Sequence, residues 1–199
     1  LNRSGITRIR GRCEKITPDT KSVTISAMDG NKKETYDKLI LSTGCVPSVP
    51  VISKMDHYMN LSMFTFAGIR DLSFIQERMK SARKCVIIGG GAIGIETAYA
   101  LRIHERDVTI IEMENQLLKG ILDPDIAAMV ENYLESAGIK IIKEKTVIGV
   151  DGGECLKMVV CGDVSIPADM AVISTGFKPA ASLTDNSGIK TTPAGIKTD

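Results

Sequence analysis

Apolar and polar residues alternate at two places near the start of the chain, Ile6-Thr7-Arg8-Ile9-Arg10 and Val23-Thr24-Ile25-Ser26. A period of two predicts strands with one face wet and the other buried. Asp29-Gly30-Asn31 is a turn signal and residues 33–36 supply a further strand, so a small antiparallel meander is expected. Leu39-Ile40-Leu41 breaks the alternation. This continuous apolar run predicts a buried strand, with Ser42-Thr43-Gly44 as a tight exit from it. Pro47 and Pro50 then stop regular structure over about 46–62.

Beyond that point the period lengthens. Ile69, Leu72, Ile75 and Met79 predict a helix. Val86-Ile87-Ile88 and Val108-Thr109-Ile110-Ile111 are short apolar runs of the kind found in buried parallel strands. Between them Gly94, Ala98 and Leu101 share one helix face, as a helix lying on a sheet requires. Asp123 is a candidate N-cap and Pro124 a good first helical residue. Ile126, Met129, Val130, Tyr133, Leu134 and Ala137 then follow helical spacing up to Gly138, which closes the helix. That pattern makes Tyr133 a core residue and the helix a cover for one face of the sheet. Lys140-Ile141-Ile142 resumes the parallel sheet. Residues 146–167 read as short strands turning at Asp151-Gly152-Gly153 and Gly162-Asp163.

Residues 171–179 repeat the design of residues 39–47: an apolar strand, Ser-Thr-Gly, two residues, then Pro. Paired exits of this kind suggest two crossings between a host domain and an inserted one. The expected organisation is host strands at 1–50, a linker at 51–62, an inserted domain at 63–177 and a return at 178–199. The fold class is α/β: a Rossmann-like parallel sheet with helices, plus a small antiparallel β-meander and flanking strands.

Candidate chemistry sits at the turn between the first two parallel strands. Gly89-Gly90-Gly91-Ala92-Ile93-Gly94 carries the G-x-G-x-x-G spacing directly after a strand and before a helix. Gly89 permits the tight turn. Gly91 lets the backbone approach a pyrophosphate, and Gly94 lets the helix pack on the strand. The helix N-terminus, through Ala92 and Ile93, offers free N–H groups to phosphate. Glu112 lies 21 residues beyond Gly91, at the end of the second strand, where an acid can grip an adenosine ribose. Its charge would repel a 2′-phosphate, and Met113-Glu114-Asn115-Gln116 contains no cation to neutralise one. NAD(H) is therefore expected over NADP(H).

Composition narrows the rest. The 199 residues are 43% hydrophobic with mean hydropathy +0.06, enough for a real core. The net charge of +1, without a basic block, argues against nucleic acid or a membrane surface as partner. No stretch reaches the roughly 18 consecutive apolar residues of a membrane-spanning helix, and no secretory leader is read at the start. Cys13, Cys45, Cys85, Cys155 and Cys161 show neither C-x-x-C nor metal-ligand spacing, so free thiols, no metal site and a cytoplasmic location are expected. His104 has no partner motif. The chain opens on Leu1, and Gly195-Ile196-Lys197-Thr198-Asp199 reads as a strand cut short, which suggests a piece of a longer protein.

Taken together, Tyr36-Asp37-Lys38-Leu39-Ile40-Leu41-Ser42-Thr43-Gly44, the 89–96 segment, Leu122-Asp123, Ser174-Thr175-Gly176-Phe177-Lys178-Pro179 and residues 195–199 carry a family likeness. The chain resembles the FAD-dependent pyridine nucleotide-disulfide oxidoreductases, in the branch of NADH oxidases, NADH peroxidases and coenzyme A-disulfide reductases. The resemblance implies an FAD domain interrupted by an NAD domain, in which NADH reduces FAD and the electrons pass to oxygen, peroxide or a disulfide. It implies a small-molecule electron acceptor and a homodimer for the full-length protein. It places Glu96 near the flavin–nicotinamide junction and the Thr175-Gly176 backbone beside the nicotinamide half. With Gly89, Gly91, Ala92, Ile93, Gly94, Glu112 and Met113, these complete the expected cofactor-binding set. The family's flavin-cradling glycines and redox cysteine would precede Leu1, and its second flavin-contacting segment would follow Asp199. No catalytic residue is therefore expected within this chain, nor tight FAD binding, and the host strands should be partly exposed. Ile121 stands where some relatives carry an aromatic. Two alternatives remain: a stand-alone NAD-binding sensor or regulatory module, and a reductase of an electron-transfer protein such as ferredoxin or rubredoxin.

Overall fold

The computed structural model describes residues 5–185 and 187–197. The chain divides into two units, one comprising Leu1–Val46 with Lys178–Asp199 and the other Pro47–Phe177. Thr198 and Asp199, expected to continue a final strand, lie outside the described residues.

In the first unit β1 (Gly11–Thr17), β2 (Ser22–Ala27) and β3 (Gly30–Thr35) form an antiparallel sheet in that order. Ala27 faces Gly30 across a two-residue turn, Met28-Asp29. The first strand lies further along the chain than its alternation suggested: residues 6–10 form no strand. The register explains the shift. Gly11 already pairs with Ala27, the last residue of β2, so residues before Gly11 have no ladder partner. Leu39-Ile40-Leu41 is likewise not a strand, and Ile40 is 88% exposed. Three apolar residues cannot form a strand without a neighbouring ladder, and the described residues of this unit give them none.

Each crossing between the units is a three-residue strand, β4 (Cys45–Pro47) on the way out. The second unit then contains α1 (Met55–Tyr58), β5 (Met63–Thr65), α2 (Ile69–Met79), β6 (Lys84–Ile88), α3 (Ala92–Ile103) and β7 (Asp107–Ile111). These are followed by α4 (Pro124–Ser136), β8 (Lys140–Ile142), β9 (Gly149–Gly152), β10 (Leu156–Cys161), β11 (Val164–Pro167) and β12 (Met170–Ile173). The return crossing is β13 (Phe177–Pro179), and β14 (Thr191–Thr192) with β15 (Gly195–Ile196) forms a small hairpin in the first unit. The two ends of the second unit are tied to each other. The Ser48 N–H donates to the Gly176 carbonyl at 2.9 Å, and the Thr175 hydroxyl donates back to the Ser48 carbonyl.

Five parallel strands run in the order β5-β12-β6-β7-β8. Their side chains alternate between two cores. Cys85, Ile87, Val108, Ile110 and Val172 pack with Ile75, Ala98, Leu101 and Leu134 of α2, α3 and α4. Val86, Ile88, Ile111, Ala171 and Ile173 pack with Val150, Leu156, Val159 and Ile166 of the antiparallel sheet β11-β10-β9. The parallel sheet is thus covered on both faces, which is why its strands are unbroken apolar runs. Residues 51–62, expected as irregular linker, contain α1 and bury Ile52 and Tyr58 in the second of these cores. Proline stops a ladder there but does not stop burial.

Two details of α4 differ from the periodicity. Asp123 occupies the N-cap position with extended backbone but makes no side-chain cap bond, while Pro124 does open the helix. Tyr133 is 58% exposed rather than core. The buried face runs through Ala127, Glu131 and Leu134, so Ile126, Met129 and Tyr133 stand outside it. The Tyr133 hydroxyl instead shares a 3.0 Å hydrogen bond with the Tyr99 hydroxyl, which pushes the Tyr133 phenol above its ordinary range. Among the described residues no helix is long and apolar enough to cross a membrane.

Candidate functional site

The carboxyl ends of the parallel strands converge on one cleft, as expected for an open α/β sheet. Its anchor is the turn from β6 into α3. Gly89 has φ +107, a conformation that favours glycine, and its N–H donates to the Ile111 carbonyl at 2.8 Å. A Cβ on Gly89 would lie 2.5 Å from the Ser174 carbonyl oxygen of the neighbouring strand exit. A Cβ on Gly94 would lie 2.1 Å from the Gly89 carbonyl oxygen, so its absence seats α3 against the turn. Gly91 differs from both: a Cβ there would meet nothing within 4 Å. Gly90 is not one of the three glycines that the G-x-G-x-x-G spacing requires. A Cβ on it would sit 2.3 Å from Leu117 Cδ2, so this glycine admits the loop that follows β7.

Glu112 reaches this turn from the end of β7. Its Oε2 accepts the Gly90 N–H at 2.6 Å and its Oε1 accepts the Glu114 N–H at 2.9 Å. The carboxylate is thus fixed beside the glycine turn by two backbone donors. The following loop is held down as well, since the Leu118 N–H donates to the Gly90 carbonyl at 3.0 Å.

The cleft has a volume of about 470 Å³. Of the ten expected site residues, Gly89, Gly91, Ala92, Ile93, Glu112, Met113, Thr175 and Gly176 line it. Gly94 packs beneath the turn, and Glu96 lies exposed on α3 outside the lining. Sequence reasoning missed Pro47, Phe66, Lys119, Lys145, Ser174 and Phe177, which also line the cleft. Phe66, Lys145 and Ser174 each lie just past the carboxyl end of a parallel strand, which is the signal that could have found them. Two cations therefore reach the wall from outside residues 113–116. Both have partners: Lys119 donates to Asn115 Oδ1 at 3.0 Å and Lys145 to Asp163 Oδ1 at 3.1 Å.

Three observations suit a dinucleotide pyrophosphate. The Cβ side of Gly91 is open. α3 has neither a side-chain cap nor an acid in its first turn, so its N–H groups and positive dipole end are free for an anion. The Ser174 hydroxyl, on the cleft wall, is buried without a partner among the described residues. Among the described residues no cysteine lines the cleft. Burial pushes the Cys85 thiol up to about 12 and raises Cys161 as well, so both remain protonated at neutral pH. Among the described residues no three metal-ligating side chains gather.

Compared with known families, residues 2–199 match the pyridine nucleotide-disulphide oxidoreductases. The chain belongs to this family. An NADH oxidase of Methanocaldococcus jannaschii is 35% identical over 182 residues, covering 88% of this chain and 40% of that protein. Among solved structures of the family's fold, an NAD-dependent persulfide reductase from A. fulgidus superposes with TM-score 0.84 at 29% identity, covering 91% of this chain and 33% of its own. A water-forming NADH oxidase from Lactobacillus brevis, solved bound to NADH, superposes with TM-score 0.84 at 25% identity and covers 94% of this chain and 41% of its own. As a pyridine nucleotide-disulphide oxidoreductase chain, this one spans well under half the length of these relatives.

Proposed function

We propose that the second unit binds NAD(H) and that the chain is the NADH-binding portion of a flavoprotein oxidoreductase. The observation that carries the reading is the Glu112 carboxylate, fixed 2.6 Å from the Gly90 N–H at the mouth of an uncapped helix. Gly91, Ala92 and Ile93 would take the pyrophosphate, Glu112 and Met113 the adenosine ribose side, and Thr175-Gly176 the nicotinamide side. Bound NADH would supply a hydride. The protein's part is to orient it: the Ser174 N–H bond to the Ile88 carbonyl, at 2.8 Å, and the Thr175–Ser48 bond hold the two ends of the cleft in one geometry. In this reading Glu96 would lie near the nicotinamide end.

Residues 1–50 and 178–199 are proposed as strands of an FAD domain. The flavin is assigned to the whole protein, with oxygen, peroxide or a disulfide as final acceptor. The names of the relatives, NADH oxidase and persulfide reductase, support a small-molecule acceptor. Homodimerisation and a cytoplasmic location belong to the same proposal.

Glu112→Ala tests the reading. Removing a charged hydrogen-bond acceptor costs about 1.5–3 kcal/mol, a loss of roughly ten- to a hundred-fold in NADH affinity. Calorimetric titration should show that loss together with a smaller preference for NADH over NADPH. An unchanged ratio of the two affinities removes Glu112 from the ribose role.

A further inference from the structure

We infer that Glu131, on α4 and outside the cleft, is a positioning residue that locks two cleft-lining loops together around the nucleotide. This rests on the NAD(H) reading above. Glu131 sits on the buried face of its helix and is only 9% exposed. A carboxylate there loses its hydration, and an apolar residue of similar size would often serve stability as well or better. Its two oxygens are spent on the two loops. Oε1 accepts the Leu117 N–H at 2.8 Å, from the loop after β7. Oε2 takes the Lys143 ammonium at 2.6 Å, at the start of the loop after β8.

Both anchor points lead directly to the cleft. Leu117, fully buried, is the residue admitted by Gly90, and Leu118 beside it lines the cleft. Leu118 holds φ +54, a left-handed conformation that a leucine adopts only when its surroundings impose it. On the other side, Lys143 leads into Lys145, Thr146 and Val147 of the cleft wall. The two loops also bond each other directly. The Glu144 N–H donates to the Glu114 carbonyl and the Lys145 N–H to the Glu112 carbonyl, each at 3.1 Å. Glu131 closes this frame from behind, and the frame carries Glu112. Its contribution is preorganisation: a loop already held in its binding conformation loses less entropy when the ligand arrives.

The test measures NADH and ADP-ribose affinity by calorimetry on the 199-residue chain, with thermal midpoints and amide exchange at Leu117 and Leu118 followed in parallel. Glu131→Ala should weaken both ligands by about ten-fold and speed exchange at both amides. Glu131→Gln keeps an acceptor for the Leu117 N–H and should recover most of the affinity. Lys143→Met, which takes the cation from one oxygen of the Glu131 carboxylate, should weaken both ligands by about three-fold. If Glu131→Ala and Lys143→Met fold and both bind like the parent, or if affinity follows the thermal midpoint alone, the inference is overturned. A parent chain that binds neither ligand overturns the cofactor reading, and this inference with it.

Discussion

Gly94→Ala is expected to destabilise the second unit and to abolish measurable nucleotide binding, although alanine is the better helix former. Two effects oppose each other. Replacing a helical glycine with alanine gains up to about 1 kcal/mol of propensity. Against this, the new Cβ would lie 2.1 Å from the Gly89 carbonyl oxygen and 3.3 Å from Ile87 Cγ2. The nearer atom is backbone in a turn fixed by the Gly89–Ile111 hydrogen bond, so it cannot swing aside as a side chain would. Overpacking of this kind costs about 1–3 kcal/mol, with the upper end expected where the neighbour is rigid. The net loss should be about 1–2 kcal/mol, a fall of roughly 5 °C in Tm for a unit of this size. Relief requires α3 to lift away from the turn, which moves the first-turn N–H groups off the phosphate position. A thermal melt with an unchanged or higher midpoint would show that the helix does not need this contact.

Gly91→Ala should separate binding from stability. The backbone at Gly91 has φ −77, which any residue adopts, and a Cβ there meets nothing within 4 Å. The fold should therefore be retained, with Tm unchanged or slightly raised. The same Cβ occupies the space through which a pyrophosphate would approach the backbone. A steric cost of about 1–3 kcal/mol corresponds to a loss of roughly ten- to a hundred-fold in NADH affinity. The pair of alanines thus gives opposite signatures three residues apart. Full affinity in Gly91→Ala would mean that the phosphates do not pass over this turn.

The sheet and its glycine turn were legible in the sequence for one reason. Val86-Ile87-Ile88, Val108 with Ile110-Ile111, and Ala171-Val172-Ile173 are buried, so their hydrophobic runs need no partner to be recognised. Leu39-Ile40-Leu41 has the same composition but forms no strand and leaves Ile40 exposed, because a strand also requires a ladder, and a ladder is not a local property. α4 shows a subtler failure. Hydrophobicity favours the stripe Ile126, Met129 and Tyr133, yet the buried stripe is the adjacent one. That stripe carries the small Ala127 and the charged Glu131, which a hydrophobic pattern discounts. In the cleft, the residues around Gly89 and Glu112 were visible because the motif is contiguous. Phe66, Lys145 and Ser174 were not, since only the strand order β5-β12-β6-β7-β8 brings their strand ends to one place.

Every role proposed for the cleft residues depends on the cleft taking NAD(H). Calorimetric titration of the 199-residue chain with NADH, repeated with NADPH, tests it most directly. One saturable site per chain, displaced by ADP-ribose and at least ten-fold weaker for NADPH, is the predicted result, from the charge that Glu112 would set against a 2′-phosphate. No binding of NADH, or tighter binding of NADPH, would contradict it.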